Sequence, residues 1–496
     1  MKKYIIKRYA ILSLLITGLL ITTGCKKAMD VTPPGSFSPA ALLSDAGIKS
    51  VLFSAYSAQQ NPTPSRWPIN VSEACTDIGF SSGGAETLTL VQIIGFTWDA
   101  TLGTFQADVW AADYQCIRDA NIVIANADKA NISDGNKKLY KAEARFLRAY
   151  AYEMLYKWFG PVPLRTSSLT DSSVSDPALS RATDAEMKTF IENELITAIP
   201  DLPDPGKESS FGRANKGAAL SVLAKYYLNT RQWQKAADAC QQVMNFNYYQ
   251  LFQSYQGMFR TENKGNKEMI LVSPCRPEVG YGNWYTDGAL PPGFKSSPQI
   301  PGYVFQPGMA NFAAQYRMRS AFTNTFDTIN DTRSTLLIRH YFNTSGAYIS
   351  LLSTPDNVRS LKYWDNNTSG NQGGCDVPLI RYADILLSRA EALNELNGPT
   401  QESLDLINKV RERAGIADLT LADAPDQQTL RSLILRERGW EFYSEGKRRE
   451  DLLRNGTFIS NAHTRGITVA ADKHKLFPIP QAEIDANPLC VQNPGY

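Results

Sequence analysis

KKLYKAEARFLRAYAYEMLYKWFGPVP, residues 137–163, is the stretch whose reading decides the fold. Leu139, Phe146, Leu147, Tyr150, Met154, Leu155 and Trp158 recur at steps of three and four, which lays an apolar stripe along one helix. Lys141, Glu143, Arg145, Arg148 and Lys157 fall on the other side. Gly160 and Pro161 end the helix, because glycine supplies a left-handed cap and proline neither donates to a helix nor fits inside one. A helix of this kind has to be covered by others, so the domain is expected to be mainly α.

Working outward, the pattern repeats. Residues 40–60 and 106–128 read as helices, the second joined to the opening helix by a polar loop at 134–136. Residues 182–199 form another, with Thr183 or Asp184 as cap and Pro200 beyond its end. Residues 215–229 and 232–244 make a hairpin whose text, AKYYLNTRQWQKAADACQQVM, has the paired aromatics, tight polar turn and small residues of a tetratricopeptide repeat. A second copy of that pattern stands at 382–414, and residues 427–444 are the last long helix. Between the copies, residues 248–376 are rich in aromatics, Gly, Pro, Asn and Ser, and helical periodicity is mostly lost. Long ordered loops with short strands are expected there, and loops with minor strands from 71 to 99. Four prolines between 478 and 494 make the last residues an extended segment wrapping the body.

The chain of 496 residues is long enough for more than one subregion, since single cores stop growing near ~250–300 residues. Its 51 basic and 49 acidic residues nearly balance, and Lys2, Lys3, Lys7 and Arg8 lie in a leader, so the basic face of a nucleic-acid binder is missing. That leader, residues 1–24, is a basic start followed by an apolar run at 10–21 and small residues closing on Cys25. It reads as a secretory signal, with Cys25 as the lipidated residue of a bacterial lipoprotein, although Thr22 stands where leucine is usual. Acyl chains on Cys25 anchor strongly, at ~0.8 kcal/mol per buried methylene. Residues 25–39 are then a tether and 40–496 the body, with a helical scaffold in 40–60, 106–245 and 378–445. Its variable, loop-rich binding region is assigned to 61–105 and 246–377, and its extended tail to 475–496. Cys75, Cys116, Cys240, Cys275, Cys375 and Cys490 are scattered without a Cys-x-x-Cys pair, which argues against zinc and leaves disulfide pairing open.

Catalytic chemistry is poorly supplied. His340, His463 and His474 show no metal or triad spacing and read as ordinary surface or interface histidines, no catalytic motif emerges, and neither cofactor nor metal is expected. Carbohydrate binding asks instead for flat aromatic faces with amides, carboxylates and arginines nearby. Trp110, Trp158, Trp233 and Trp440 lie in helical patterns and read as core, whereas Trp67, Trp98, Trp284 and Trp364 lie in loop-like stretches. The candidate binding residues are Trp284 and Tyr285 with Tyr281 and Asn283, then Trp67 with Arg66, and Trp98 with Asp99. Arg381, Asp384, Arg389 and Glu391, and the charged run from 437 to 451, read as ion pairs at helical spacing on a solvated face.

Four stretches together carry a family resemblance: AEARFLRAYAYEMLYKWFGPVPL at 142–164, PLIRYADILLSRAEALNELNG at 378–398, ERGWEFYSEGKRREDLLRNG at 437–456 and FPIPQAEIDANPLCVQNPGY at 477–496. With the leader they resemble, in order, the SusD/RagB family of surface lipoproteins. The resemblance implies about four tetratricopeptide-like helix pairs, an α-α superhelix, packed against a loop-rich region with short strands. It implies a non-enzymatic glycan-binding protein that hands oligosaccharides to a SusC-like TonB-dependent transporter in polysaccharide utilisation, lipid-anchored at the outer membrane and facing the cell exterior. Lys26 and Lys27 precede Asp30, a departure from the acidic residues that often follow the lipidated cysteine in the family. The matching motifs belong to the scaffold and transfer no binding residue. The competing expectation is a tetratricopeptide lipoprotein that acts only as a protein–protein assembly factor.

Overall fold

The computed structural model describes residues 41–59, 68–81, 87–167, 177–311 and 315–496. The leader, Cys25, the tether and the pair Arg66 and Trp67 lie outside the described residues.

The long helices are α1 (Asp45–Gln59), α2 (Thr87–Gly95), α3 (Ala111–Asn126), α4 (Asp134–Phe159), α5 (Asp184–Ala198), α6 (Lys216–Asn229) and α7 (Trp233–Asn245), then a short α8 (Tyr285–Ala289). They resume as α9 (Tyr382–Asn397), α10 (Gln401–Ala414), α11 (Gln427–Phe442) and α12 (Arg448–Arg454). Neighbours in space follow the chain: α1 packs on α3, α3 on α4, α4 on α5, α6 on α7, α7 on α9, and α9 on α10 and α11. Stacked hairpins of this sort bury one continuous core, which is why the tetratricopeptide pattern works although a long insertion separates its two copies.

The helix that opened the sequence reading is bounded as its residues require. Ser133 accepts a hydrogen bond from the Asn136 amide at the start, and Gly160 at φ 73° closes the end with its amide on Tyr156. Its surroundings differ from expectation, because the charged side does not face water. Glu143, Arg148 and Glu153 are buried. Arg148 donates to Glu194 of α5 at 2.9 Å and to Asn121 of α3 at 2.6 Å, while Glu143 accepts from Arg213 at 3.0 Å and from the Tyr56 hydroxyl at 2.7 Å. Buried polar groups persist only when paired, and helices on three sides supply the pairs.

The charged run near the C-terminus departs in the same way. Arg381 contacts Glu268 at 2.6 Å, Glu441 at 2.5 Å and Glu445 at 2.8 Å, and all four side chains are excluded from solvent. Arg333 bridges Asp331 and Glu437, and Arg438 bridges Asp384 and Asp451, again without exposure. These residues are an interior lattice and not a solvated face. Their partners lie far away in sequence, so helical spacing on one element gave no view of them.

Among the described residues there are nine short strands, seven of them in the insertion, with β1 well before it and β9 just after: β1 (Gly79–Ser81), β2 (Met269–Ser273), β3 (Phe294–Ser296), β4 (Tyr316–Met318), β5 (Leu337–Ile338), β6 (His340–Asn343), β7 (Tyr348–Ser350), β8 (Arg359–Ser360) and β9 (Val377–Arg381). They pair antiparallel as β1–β4, β2–β9, β3–β6–β7 and β5–β8. The β2–β9 ladder, with Ser273 opposite Val377, runs directly into α9 and ties the insertion to the scaffold. Residues 87–95, expected among loops and minor strands, are the helix α2: its β-branched text favours a strand, but burying Leu90 and Ile93 on one side selects a helix. The tail is bonded to the end of α4, with the Phe477 amide on the Trp158 carbonyl at 2.7 Å and Asn493 donating to Phe159 and Phe477, and it includes a short helical segment at Gln481–Ala486 in place of a wholly extended run.

Candidate functional site

Residues 274–284 leave β2 and return to α8 as a tight, outward loop. Its neck is built by hydrogen bonds to a strip at 372–376. The Cys275 amide donates to Asp376 Oδ1 at 2.8 Å, and the Gly280 and Gly282 amides both donate to Oε1 of buried Gln372, at 3.0 and 2.9 Å. Asn283 and Gly373 exchange two backbone hydrogen bonds at 2.8 and 2.9 Å. Gly282 is needed for close approach, since a Cβ there would lie 2.3 Å from the Gln372 Cβ. Within the loop the Arg276 amide donates to the Tyr281 carbonyl and the Tyr281 amide to the Glu278 carbonyl, with Gly280 at φ 86° completing the turn.

That backbone fixes what the loop displays. Tyr281 is 56% exposed, and the Arg276 guanidinium lies over one face of its ring at 4.1 Å. Glu278 Oε2 sits 2.9 Å from Arg276 Nε, which orients the guanidinium. Val279 occupies the tip, and Trp284 is half-buried at the loop's return. The result is an aromatic face backed by a cation, with a carboxylate and guanidinium donors beside it. A pyranose offers apolar C–H faces and hydroxyls at its rim, and this set answers both.

The structure thus distributes the candidate residues among different tasks. Tyr281 and Trp284 stand at the surface of the loop. Asn283 and Tyr285 do not: Asn283 is buried, donates to the Cys375 carbonyl at 3.1 Å and accepts from the Tyr285 amide at 2.9 Å. Tyr285 is buried with its hydroxyl 2.6 Å from Ser444 Oγ and its ring against Tyr316 and Tyr363. Both brace the loop and have no face to offer a ligand. Trp98 is a further correction, because at 2% exposure it belongs to the core, with Nε1 donating to the Tyr496 hydroxyl at 2.8 Å and rings of Phe96, His474 and Phe477 packed on it. His474 is accordingly buried, not a surface histidine. Asp99 is exposed but occupied locally, accepting from the Thr101 hydroxyl and amide, which hold its carboxyl below the ordinary range. Trp67 and Arg66 lie outside the described residues.

Trp364 is fully buried, stacked on Tyr303 at 5.1 Å and held through Nε1 by Asn366. Sequence reasoning passed over Arg276, Glu278 and Gln372. Arg276 and Glu278 precede Tyr281 in RPEVGYGNWY, residues 276–285, a local signal open to reading; Gln372 lies 90 residues from the amide it holds and carries none. Among the described residues no cluster of three His, Cys, Asp or Glu side chains is arranged to hold a metal, and the six cysteines are buried thiols.

Comparison with known proteins adds an independent line. Residues 316–496 match the model of the SusD family, and residues 29–228 match a model described as starch-binding, associating with outer membrane. SusD-like protein P25 of Formosa agariphila is 28% identical over 425 residues, covering 79% of this chain and 80% of the relative. Starch-binding protein SusD of Bacteroides thetaiotaomicron is 26% identical over 432 residues, 74% of each chain. Among solved structures, a laminarin binding SusD-like protein superposes with TM-score 0.77 at 23% identity, over 91% of this chain and 100% of that one. Surface glycan-binding protein A from Bacteroides thetaiotaomicron, in complex with laminarihexaose, superposes with TM-score 0.73 at 19% identity, over 91% and 99%. The structural likenesses speak for a shared fold.

Proposed function

This chain belongs to the SusD family, and from that premise we propose that it is a non-enzymatic, carbohydrate-binding lipoprotein of the outer membrane. It captures oligosaccharides at the cell surface and passes them to a partner TonB-dependent transporter of the SusC type. The lipid on Cys25 holds the body at the membrane, and the loop cluster around Tyr281 meets the sugar.

The observation that carries the reading is the pinned loop at 274–284, which presents the Tyr281 ring with Arg276 stacked on one face and leaves the ring otherwise open. Such a display is arranged in advance, so little side-chain entropy is lost when a sugar ring docks on it. The names of the relatives and structural neighbours support the same ligand class, since they include starch-binding, laminarin binding and glycan-binding proteins.

Calorimetric titration of the purified body with a panel of neutral oligosaccharides tests the reading. Tyr281→Ala and Arg276→Ala are expected to weaken binding about tenfold, the worth of one stacked ring or cation contact, while the melting temperature stays at the wild-type value. Wild-type affinity in both variants refutes the assignment of the loop. A body that binds no glycan yet captures its transporter supports the assembly-factor reading instead.

A further inference from the structure

The sheet β3–β6–β7 carries a second aromatic surface that the loop cluster does not use. Its register sets Phe342 opposite Tyr348, His340 opposite Ser350, and Ser296 opposite Phe342. Residues opposite one another on antiparallel strands share a face, as do residues two apart on one strand. His340, Phe342, Tyr348 and Ser350 therefore lie on a single side, while β3 joins with a register shift between Phe294 and Ser296. The other side is the buried one, where Phe294 and Tyr341 stack at 5.9 Å and Phe294 rests on Trp364 at 5.8 Å.

On the outer side the rings form a row. His340 and Tyr348 lie 5.2 Å apart and within 7° of parallel, and Phe342 lies 5.4 Å from Tyr348. Tyr348 is 56% exposed and Phe342 36%. Large rings in water need a reason, and cross-strand pairing alone does not require three of them on the solvent side.

The row is also rigid. The β6–β7 turn is closed by Asn343, whose Oδ1 accepts from the Ser345 amide at 3.1 Å, the Ala347 amide at 2.8 Å and the Ser345 hydroxyl at 2.7 Å. Gly346 takes φ 83° there, and the Asn343 amide donates to Ala347. Ser297 Oγ donates to the His340 carbonyl at 2.7 Å, and the Tyr341 hydroxyl to the Pro292 carbonyl at 2.9 Å, so the sheet is fastened at both ends.

We propose that this outer face, with Tyr348 and Phe342 as its rings, is a second carbohydrate platform that holds an internal stretch of a neutral, extended polysaccharide chain. The inference rests on the carbohydrate reading above. Three properties choose this occupant. The face sets flat rings beside the hydroxyl of Ser350 and the His340 imidazole, which matches the alternation of C–H faces and hydroxyls along a glycan. Its three strands carry no carboxylate and only Lys295 as a full charge, so neither an acidic polymer nor a nucleic acid is favoured. The rings lie in a row along the strands with Tyr348 and Phe342 exposed, which suits the side of a chain more than a chain end. Ile349 is the sole aliphatic residue on the strands and is not on this face, so a protein partner would find no aliphatic core to bury.

Affinity electrophoresis of the folded body in native gels cast with laminarin, mixed-linkage β-glucan or xyloglucan provides the test, run beside calorimetric titration with short oligosaccharides. Tyr348→Ser combined with Phe342→Ser is expected to weaken retardation about tenfold or more, with unchanged melting temperature and unchanged titration. Tyr348→Phe alone, which keeps the ring, is expected to restore retardation to within a few-fold of wild type when set against Tyr348→Ser. Wild-type retardation in the double variant overturns the platform while leaving the loop cluster standing. A wild-type protein that binds neither the gels nor the oligosaccharides overturns the carbohydrate reading itself, and the platform with it.

Discussion

Arg381→Met isolates the largest unexpected feature of the interior. The methionine keeps the stem of the arginine and removes the guanidinium that meets Glu268, Glu441 and Glu445, all excluded from water. Burial pushes Glu441 upward, and the guanidinium groups of Arg413, Arg381 and Arg333 more than offset it, holding its carboxyl well below the usual range. Glu445, buried likewise, is held low by Arg381 and Lys362. Breaking a buried charge cluster by removing one partner leaves the others uncompensated and costs about 3–5 kcal/mol. Urea unfolding of the purified body at pH 7 should show a loss of that size. The pH dependence has a definite sign. Carboxyls whose folded pKa is depressed contribute stability that is present above their unfolded value near 4.5 and is lost as pH falls toward the folded value. In the variant those carboxyls move back upward toward the unfolded value and carry less of this stability, so the deficit should hold from pH 7 to about 5 and shrink as pH falls below about 4.5. A deficit below about 1 kcal/mol at pH 7, or one that stays constant as pH falls below about 4.5, refutes the argument that charge compensation holds this region together.

Trp98→Ala should cost about 3–5 kcal/mol in unfolding free energy, as removal of a fully buried ring does, and should expose the C-terminal tail to limited proteolysis because its anchor to Tyr496 is gone. If it leaves stability intact and abolishes oligosaccharide binding, the ring is a ligand platform after all and not core. Gly282→Ala should force the loop off Gln372 at a cost of about 1–3 kcal/mol and weaken oligosaccharide binding together with the melting temperature, since the Cβ has no room. Unchanged calorimetric binding and melting would mean the neck does not position Tyr281.

Much of the scaffold was legible in the sequence. The 137–163 helix, its stop at Gly160, the hairpin at α6 and α7 and the proline-rich tail follow from periodicity, capping and turn chemistry, which are local and written within a few residues. The failures share a cause. Glu143, Arg148 and Arg438 look like solvent residues on their own helices, and they are interior because Arg213, Glu194, Asp384 and Asp451 come from elsewhere in the chain. Trp98 and Trp364 look like loop rings free to stack on a ligand, and the tail and Tyr303 cover them.

The candidate site shows the same division at closer range. Tyr281, Trp284, Asn283 and Tyr285 are adjacent in sequence, so composition alone groups them, yet two face outward and two are braces. Only the contacts of Gln372, Gly373, Cys375 and Ser444 with that loop separate display from support.

What the sequence by itself determined is the family, the helical scaffold and the places where the chain must turn, because each depends on residues a few positions apart. What only the tertiary structure decided is which charges and rings meet water. Burial is a property of every element packed around a side chain, and the partners that bury Trp98 come from the far end of the chain while those of Arg381 lie 60 to 113 residues away.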